Sequence, residues 1–171
     1  MIATVLATCL LAQTAPATPS LHPKLEPFRP LIGKTFKGNL GAADDRTSVD
    51  VSRYERAMNG MAIRTMHSVN DGEYGGETLI YWDSRKETLA FIYVTTAGFQ
   101  TTGTITAEPG KYSSLEEVNG EANGITKVRG TAEFKGDGIL TVKSEYFKDG
   151  VWSPGRTATY REDATAQVIF R

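Results

Sequence analysis

This sequence predicts an all-β fold, an up-and-down antiparallel barrel of about ten strands with a short N-terminal helical plug. Three observations lead there. From Gly33 onward, clusters of Gly, Asn and Asp recur about every 10 residues, with β-branched and aromatic runs between them; that spacing marks many short strands. Several clusters set Asn or Asp beside Gly, as in Asn59-Gly60, Asn70-Asp71-Gly72, Asn123-Gly124, Asp137-Gly138 and Asp149-Gly150. Such pairs tolerate the positive φ of tight hairpin turns. Third, 139–147 alternates Leu140, Val142, Ser144 and Tyr146 with Thr141, Lys143 and Glu145, the pattern of a strand with one solvated face.

The elements follow in chain order. Residues 1–19 differ from the rest: 2–12 are apolar or small, and no charged side chain precedes Lys24. This reads as a secretory signal peptide and leader, too short to span a bilayer, which takes about 20 apolar residues. Cleavage is expected after Ala12 or Ala17, and the expected location is periplasmic or secreted. Cys9 falls inside the leader, so the mature chain would carry no disulfide. The stretch Leu6-Ala7-Thr8-Cys9 is only a faint lipoprotein box. The remaining 20–171 form one domain, and a chain of this size buries roughly two-thirds of its unfolded surface without a disulfide or metal staple.

Within 20–32 the prolines at 23, 27 and 30 forbid a long helix. A short helical plug is expected, with Leu25, Phe28, Leu31 and Ile32 packing on the domain. Strands are then expected at 33–39, 47–57, 61–70, 76–83, 88–96, 98–107, 111–119, 124–135, 139–148 and 151–161, with a last extended piece at 166–171. Ten strands joined by short turns pair with their sequence neighbours, and closure removes the exposed edges of so large a sheet.

Strand parity sets the inner face. Along 61–69, Met61, Ile63, Thr65, His67 and Val69 share the more apolar side, which places His67 in the lumen. Both faces of 79–82 and 88–96 are apolar, so these strands call for cover outside the barrel, from the plug or from a dimer partner.

The run Leu31-Ile32-Gly33-Lys34-Thr35-Phe36-Lys37-Gly38 resembles the opening of calycin-type barrels: lipocalins, fatty-acid-binding proteins and nitrobindin-like proteins. Phe36 stands in for the tryptophan of their Gly-x-Trp motif, displaced by one position. The chain looks most like exported bacterial proteins of unknown function with this outline. The resemblance implies a lumen holding a small ligand, and a late basic residue in 156–161 capping the first-strand aromatic. Nitrobindin-like proteins hold haem through a late histidine, but none follows His67 here, so haem ligation of that type is not expected and no cofactor is assigned.

Candidate site residues are His67, Trp82, Phe91, Tyr93, Phe99, Arg156 and Tyr160. His67 would meet a ligand head group or act as a general base near neutral pH; alternatively it is a strand histidine satisfied by a neighbour. The aromatic set Trp82, Phe91, Tyr93 and Phe99 would wall a cavity, or simply fill the core. By resemblance to fatty-acid-binding barrels, Arg156 and Tyr160 would hold a carboxylate, for which a planar guanidinium is suited. The other reading stacks Arg156 on Phe36 or Trp152. Gly72, Gly75 and Gly76 follow a hairpin turn, which favours a bulge over a phosphate loop. No metal-ligand spacing and no nucleophile-elbow pattern occurs.

Nineteen basic and twenty acidic residues give a formal net charge of −1, which argues against nucleic acid as a partner. The reading favoured is a small apolar or amphipathic ligand bound without catalysis, with no stable membrane span and with a homodimer possible. The alternatives are a small isomerase- or cyclase-type enzyme using His67 as acid and base, and a filled barrel that dimerises through its outer apolar strands.

Overall fold

The computed structural model describes residues 20–41, 48–122 and 124–171, with the side chains of 119–122 left aside. The leader with Cys9, and Asn123 of the 123–124 turn, lie outside the described residues. Ten strands form among those described: β1 Thr35–Asn39, β2 Val49–Ala57, β3 Ala62–Val69, β4 Tyr74–Asp83, β5 Thr88–Thr95, β6 Gln100–Glu108, β7 Lys111–Ala122, β8 Ile125–Phe134, β9 Ile139–Lys148 and β10 Val151–Glu162. Each pairs antiparallel with its neighbours in sequence. Pairing of β1 with β10, Phe36 opposite Glu162, closes the barrel. The turn residues Asn59, Asn70, Asp71 and Asp149 adopt positive φ, as their composition requires.

Register lays the core across the strands. Ile63 faces Ile80, and Ile80 faces Phe91, so three buried apolar side chains stack around the inner wall. Phe36 is fully buried at the closing seam, edge-on to Tyr54 and to Phe134. Among the described residues, no lysine or arginine lies over its ring. Lys34, beside it in sequence, lies over the Phe134 ring instead.

The plug is a 3₁₀ helix, Pro23–Leu31, whose prolines exclude a regular α-helix. The His22 imidazole caps it by accepting from the Lys24 amide, and His22 itself is half-buried. Leu25, Phe28 and Leu31 are buried in the same cluster as Phe36 and Ile63. Burial of a side chain such as Phe28 contributes roughly 2 kcal/mol. The Phe28 ring stacks on Tyr112 at 4.8 Å, and the Tyr112 hydroxyl donates to the Pro27 carbonyl at 2.9 Å.

The plug therefore closes one end of the barrel and does not cover the outer faces of β4 and β5. Ile92 and Val94, on the outside of β5, are exposed. Part of the cover on β3 and β4 comes from the C-terminal residues after β10. The Ile169 amide donates to Ser68 at 3.0 Å, and Phe170 packs beside Gly75. Met61 is also reassigned: it lies before β3, exposed, and not on the inner face.

Candidate functional site

Two glycines explain why the inner polar side chains meet. On β1, Gly38 lies between Asp50 of β2 and Tyr160 of β10, opposite both. A Cβ at Gly38 would stand 2.9 Å from Tyr160 Cδ1, so the absent side chain lets the phenol cross β1. The same device recurs on β4, where Gly76 lies opposite His67, and a Cβ there would stand 2.5 Å from the Tyr93 ring. Gly75 and Gly76 continue the regular pairing of β3 with β4. They are sites of close approach, not the bulge expected from the sequence. The register shifts fall elsewhere, in β7, β8 and β10.

A hydrogen-bonded chain results, at the end of the barrel away from the plug. The Tyr160 hydroxyl donates to Asp50 Oδ2 at 2.9 Å. Asp50 Oδ1 lies 2.9 Å from His67 Nδ1, and His67 Nε2 lies 2.7 Å from the Tyr93 hydroxyl. That hydroxyl is 2.9 Å from the Tyr74 hydroxyl. An ionised carboxylate only accepts, so Nδ1 carries the hydrogen toward Asp50. In the neutral imidazole Nε2 then accepts from Tyr93, and Tyr93 accepts from Tyr74. Asp50 is nearly sealed, with 4% of its side chain exposed, whereas His67 keeps 25%. Burial is the first cause holding both Tyr93 and Tyr160 well above the usual phenol range, followed by the Tyr74 hydrogen bond for Tyr93 and the Asp50 charge for Tyr160. Both phenols therefore remain donors.

Between this chain and the plug lies a cavity of about 360 Å³, within the range of small-ligand sites. Phe28, Leu31, Ile80, Phe91, Ile105 and Val142 give it an apolar side. His67, Tyr93, Thr65, Thr78, Ser114 and Glu116 give it a polar one. Glu116 accepts from the Thr101 hydroxyl. Burial raises its carboxyl above the usual range, and that hydrogen bond opposes the rise.

Of the residues singled out from the sequence, His67, Phe91 and Tyr93 line this cavity, and Tyr160 joins their network through Asp50. Three stand apart. Trp82 packs near the plug, with Lys24 Nζ 5.0 Å over its ring. Phe99 sits in the turn between β5 and β6, partly exposed, its carbonyl accepting from Thr95. Arg156 is exposed at the β10 bulge, its amide bonded to Ser144. The guanidinium on Trp152 belongs to Arg129, at 4.5 Å. The carboxylate held by Tyr160 is the protein's own Asp50, so the expected arginine–tyrosine clasp is not assembled.

Sequence reasoning missed Asp50, Tyr74 and Glu116, and it gave Gly38 and Gly76 other roles. The available signal was Asp50 between Val49 and Val51: an acidic residue inside a β-branched run disfavours a strand unless it has a partner. Both ring nitrogens of His67 are engaged, so this imidazole offers no free lone pair to a metal. Among the described residues no group of three or more His, Cys, Asp or Glu is placed to hold a metal ion.

No family model matches the chain, and no curated protein matches it. Among solved structures it is similar to that of Rv2717c from M. tuberculosis, with a TM-score of 0.61 and 12% identity. The likeness covers 84% of this chain and 99% of that one. At that identity it shows a common fold and nothing about activity.

Proposed function

We propose that this chain is a calycin-like exported barrel that holds one small amphipathic molecule in its lumen. The observation that carries the reading is the two-sided cavity. Its hydrocarbon wall would take the apolar part of a ligand, and its hydroxyl, imidazole and carboxyl groups would orient the polar end. Rigid strands and a satisfied second layer, Asp50 behind His67 and Tyr74 behind Tyr93, keep that polar end in one geometry. The test is uptake of a neutral environment-sensitive dye, Nile red, by the purified protein. Wild type should take up the dye with a blue-shifted emission, and Phe91→Ala and His67→Ala should alter its affinity. A dye that stays in water, or that binds all three proteins equally, would count against a lumenal site.

A second reading, catalysis, is favoured by one observation: Asp50, His67 and Tyr93 form a carboxylate–imidazole–phenol relay whose last member borders the cavity. Such a relay can pass a proton to and from a bound molecule, as an isomerisation requires. Binding remains the primary reading, because Tyr93 spends its own hydrogen on His67.

A further inference from the structure

We infer that the lumen selects a cationic amphiphile, an amine whose ammonium group seats against Glu116 while its hydrocarbon part fills the apolar side. This rests on the lumenal binding reading and names the ligand class within it. Glu116 is set into the inner wall of β7, and its partner there is the neutral hydroxyl of Thr101. Among the described residues, no lysine or arginine lines the cavity. This half-buried carboxyl has no counter-charge beside it among the described residues. A ligand ammonium would supply it, with three N–H donors for Glu116 and neighbouring hydroxyls.

The remaining polar groups point the same way. A lumen built for an anion would aim a cation, or the N–H and O–H groups of its imidazole and phenols, at the ligand. The Tyr160 hydrogen is given to Asp50, the His67 Nδ1 hydrogen to Asp50, and the Tyr93 hydrogen to His67. A carboxylate ligand would find only neutral hydroxyls such as those of Thr65, Thr78 and Ser114 as unspent donors, and would face Glu116 directly. An ammonium instead meets Glu116 and the rings of Tyr93, Phe91 and Tyr112, whose faces attract cations. Burial disfavours the ionised form of Glu116 in the empty site, and a bound cation would reverse that preference.

The experiment is calorimetric titration of the purified full chain at neutral pH with three probes that share one skeleton: 3-phenylpropan-1-amine, 3-phenylpropan-1-ol and 3-phenylpropanoate. The amine should bind about tenfold or more tighter than the alcohol, and the carboxylate weakest of the three. In Glu116→Gln, the preference for the amine over the alcohol should disappear. Equal or tighter binding of the alcohol or the carboxylate by wild type overturns the inference and leaves the lumenal reading standing. If none of the three binds, the inference falls, and Nile red uptake decides separately whether the lumenal reading falls with it. The wild-type ranking decides the matter even if the variant does not fold.

Discussion

Tyr160 on the last strand donates its phenolic hydrogen to Asp50 on the second strand, 110 residues earlier, across the bare backbone of Gly38. One bond thus spans the seam at which the barrel closes and positions the carboxylate that orients His67. Closure and the polar end of the lumen are parts of one arrangement, so changes to either should be felt in both.

Removing the seam bond by Tyr160→Phe should cost about 1.5–3 kcal/mol of stability, the value of a hydrogen bond to a charged acceptor. His67→Ala should cost about 2 kcal/mol, because it strips Asp50 of a second partner and frees the Tyr93 hydroxyl. Urea denaturation of the two single variants and the double variant checks this. Their effects should depart from additivity by at least about 0.5 kcal/mol, since both act through Asp50. Strict additivity would mean that the chain of bonds is not a unit.

Alkaline pH should unfold the protein earlier than its composition suggests. Burial pushes Tyr54 up to about 12 and raises Tyr93, Tyr112 and Tyr160 as well. A group whose pKa is raised in the folded state contributes stability that is complete below its unfolded pKa, near 10 for tyrosine, and is lost as pH rises. Urea midpoints should therefore fall steadily from about pH 10 toward 12. Tyr93→Phe and Tyr160→Phe should each flatten that fall; an unchanged slope in both would sever the link to these phenols.

Gly76→Ala should destabilise the fold by about 1–3 kcal/mol through overpacking. Its new methyl would meet both the Tyr93 ring and the Val94 carbonyl oxygen at 2.5 Å. The change should also push Tyr93 away from His67, visible as a shift of the His67 ring resonances by NMR. A bulge at this position would tolerate alanine with little cost and leave those resonances in place.

Much of the fold was legible in the sequence because its cues are local. Asn-Gly and Asp-Gly turns and period-two alternation placed ten strands to within a few residues, and parity put His67 inside. The site was less legible because its contacts are diagonal and distant. Asp50 meets His67 from two residue pairs further along the ladder, and Tyr160 reaches Asp50 across another strand. Nothing in local pattern gives those registers. Phe99 was placed by composition and Arg156 by resemblance, but a turn claims the first and the β10 bulge exposes the second. The cover on β4 was equally hidden, since the C-terminal residues that pack there form no strand of their own.

Glu116→Gln, with no ligand present, should leave stability at neutral pH unchanged or higher. The folded-state pKa of Glu116 is raised, so its ionised form is a burden above the unfolded value near 4.5 and not a source of stability. The gain should vanish below about pH 4, where the wild-type carboxyl is itself protonated. A melting series from pH 4 to pH 7 reads this directly; a marked loss of stability at neutral pH would identify Glu116 as a structural partner.

The most direct measurement is native mass spectrometry of the protein purified from its own host, compared with the same sample after denaturation. The account predicts a single non-covalent adduct of small-molecule mass, one per chain, lost on unfolding and reduced in His67→Ala and in Phe91→Ala. A bare polypeptide mass under every gentle condition, with the lumen impermeable to added small molecules, would contradict it.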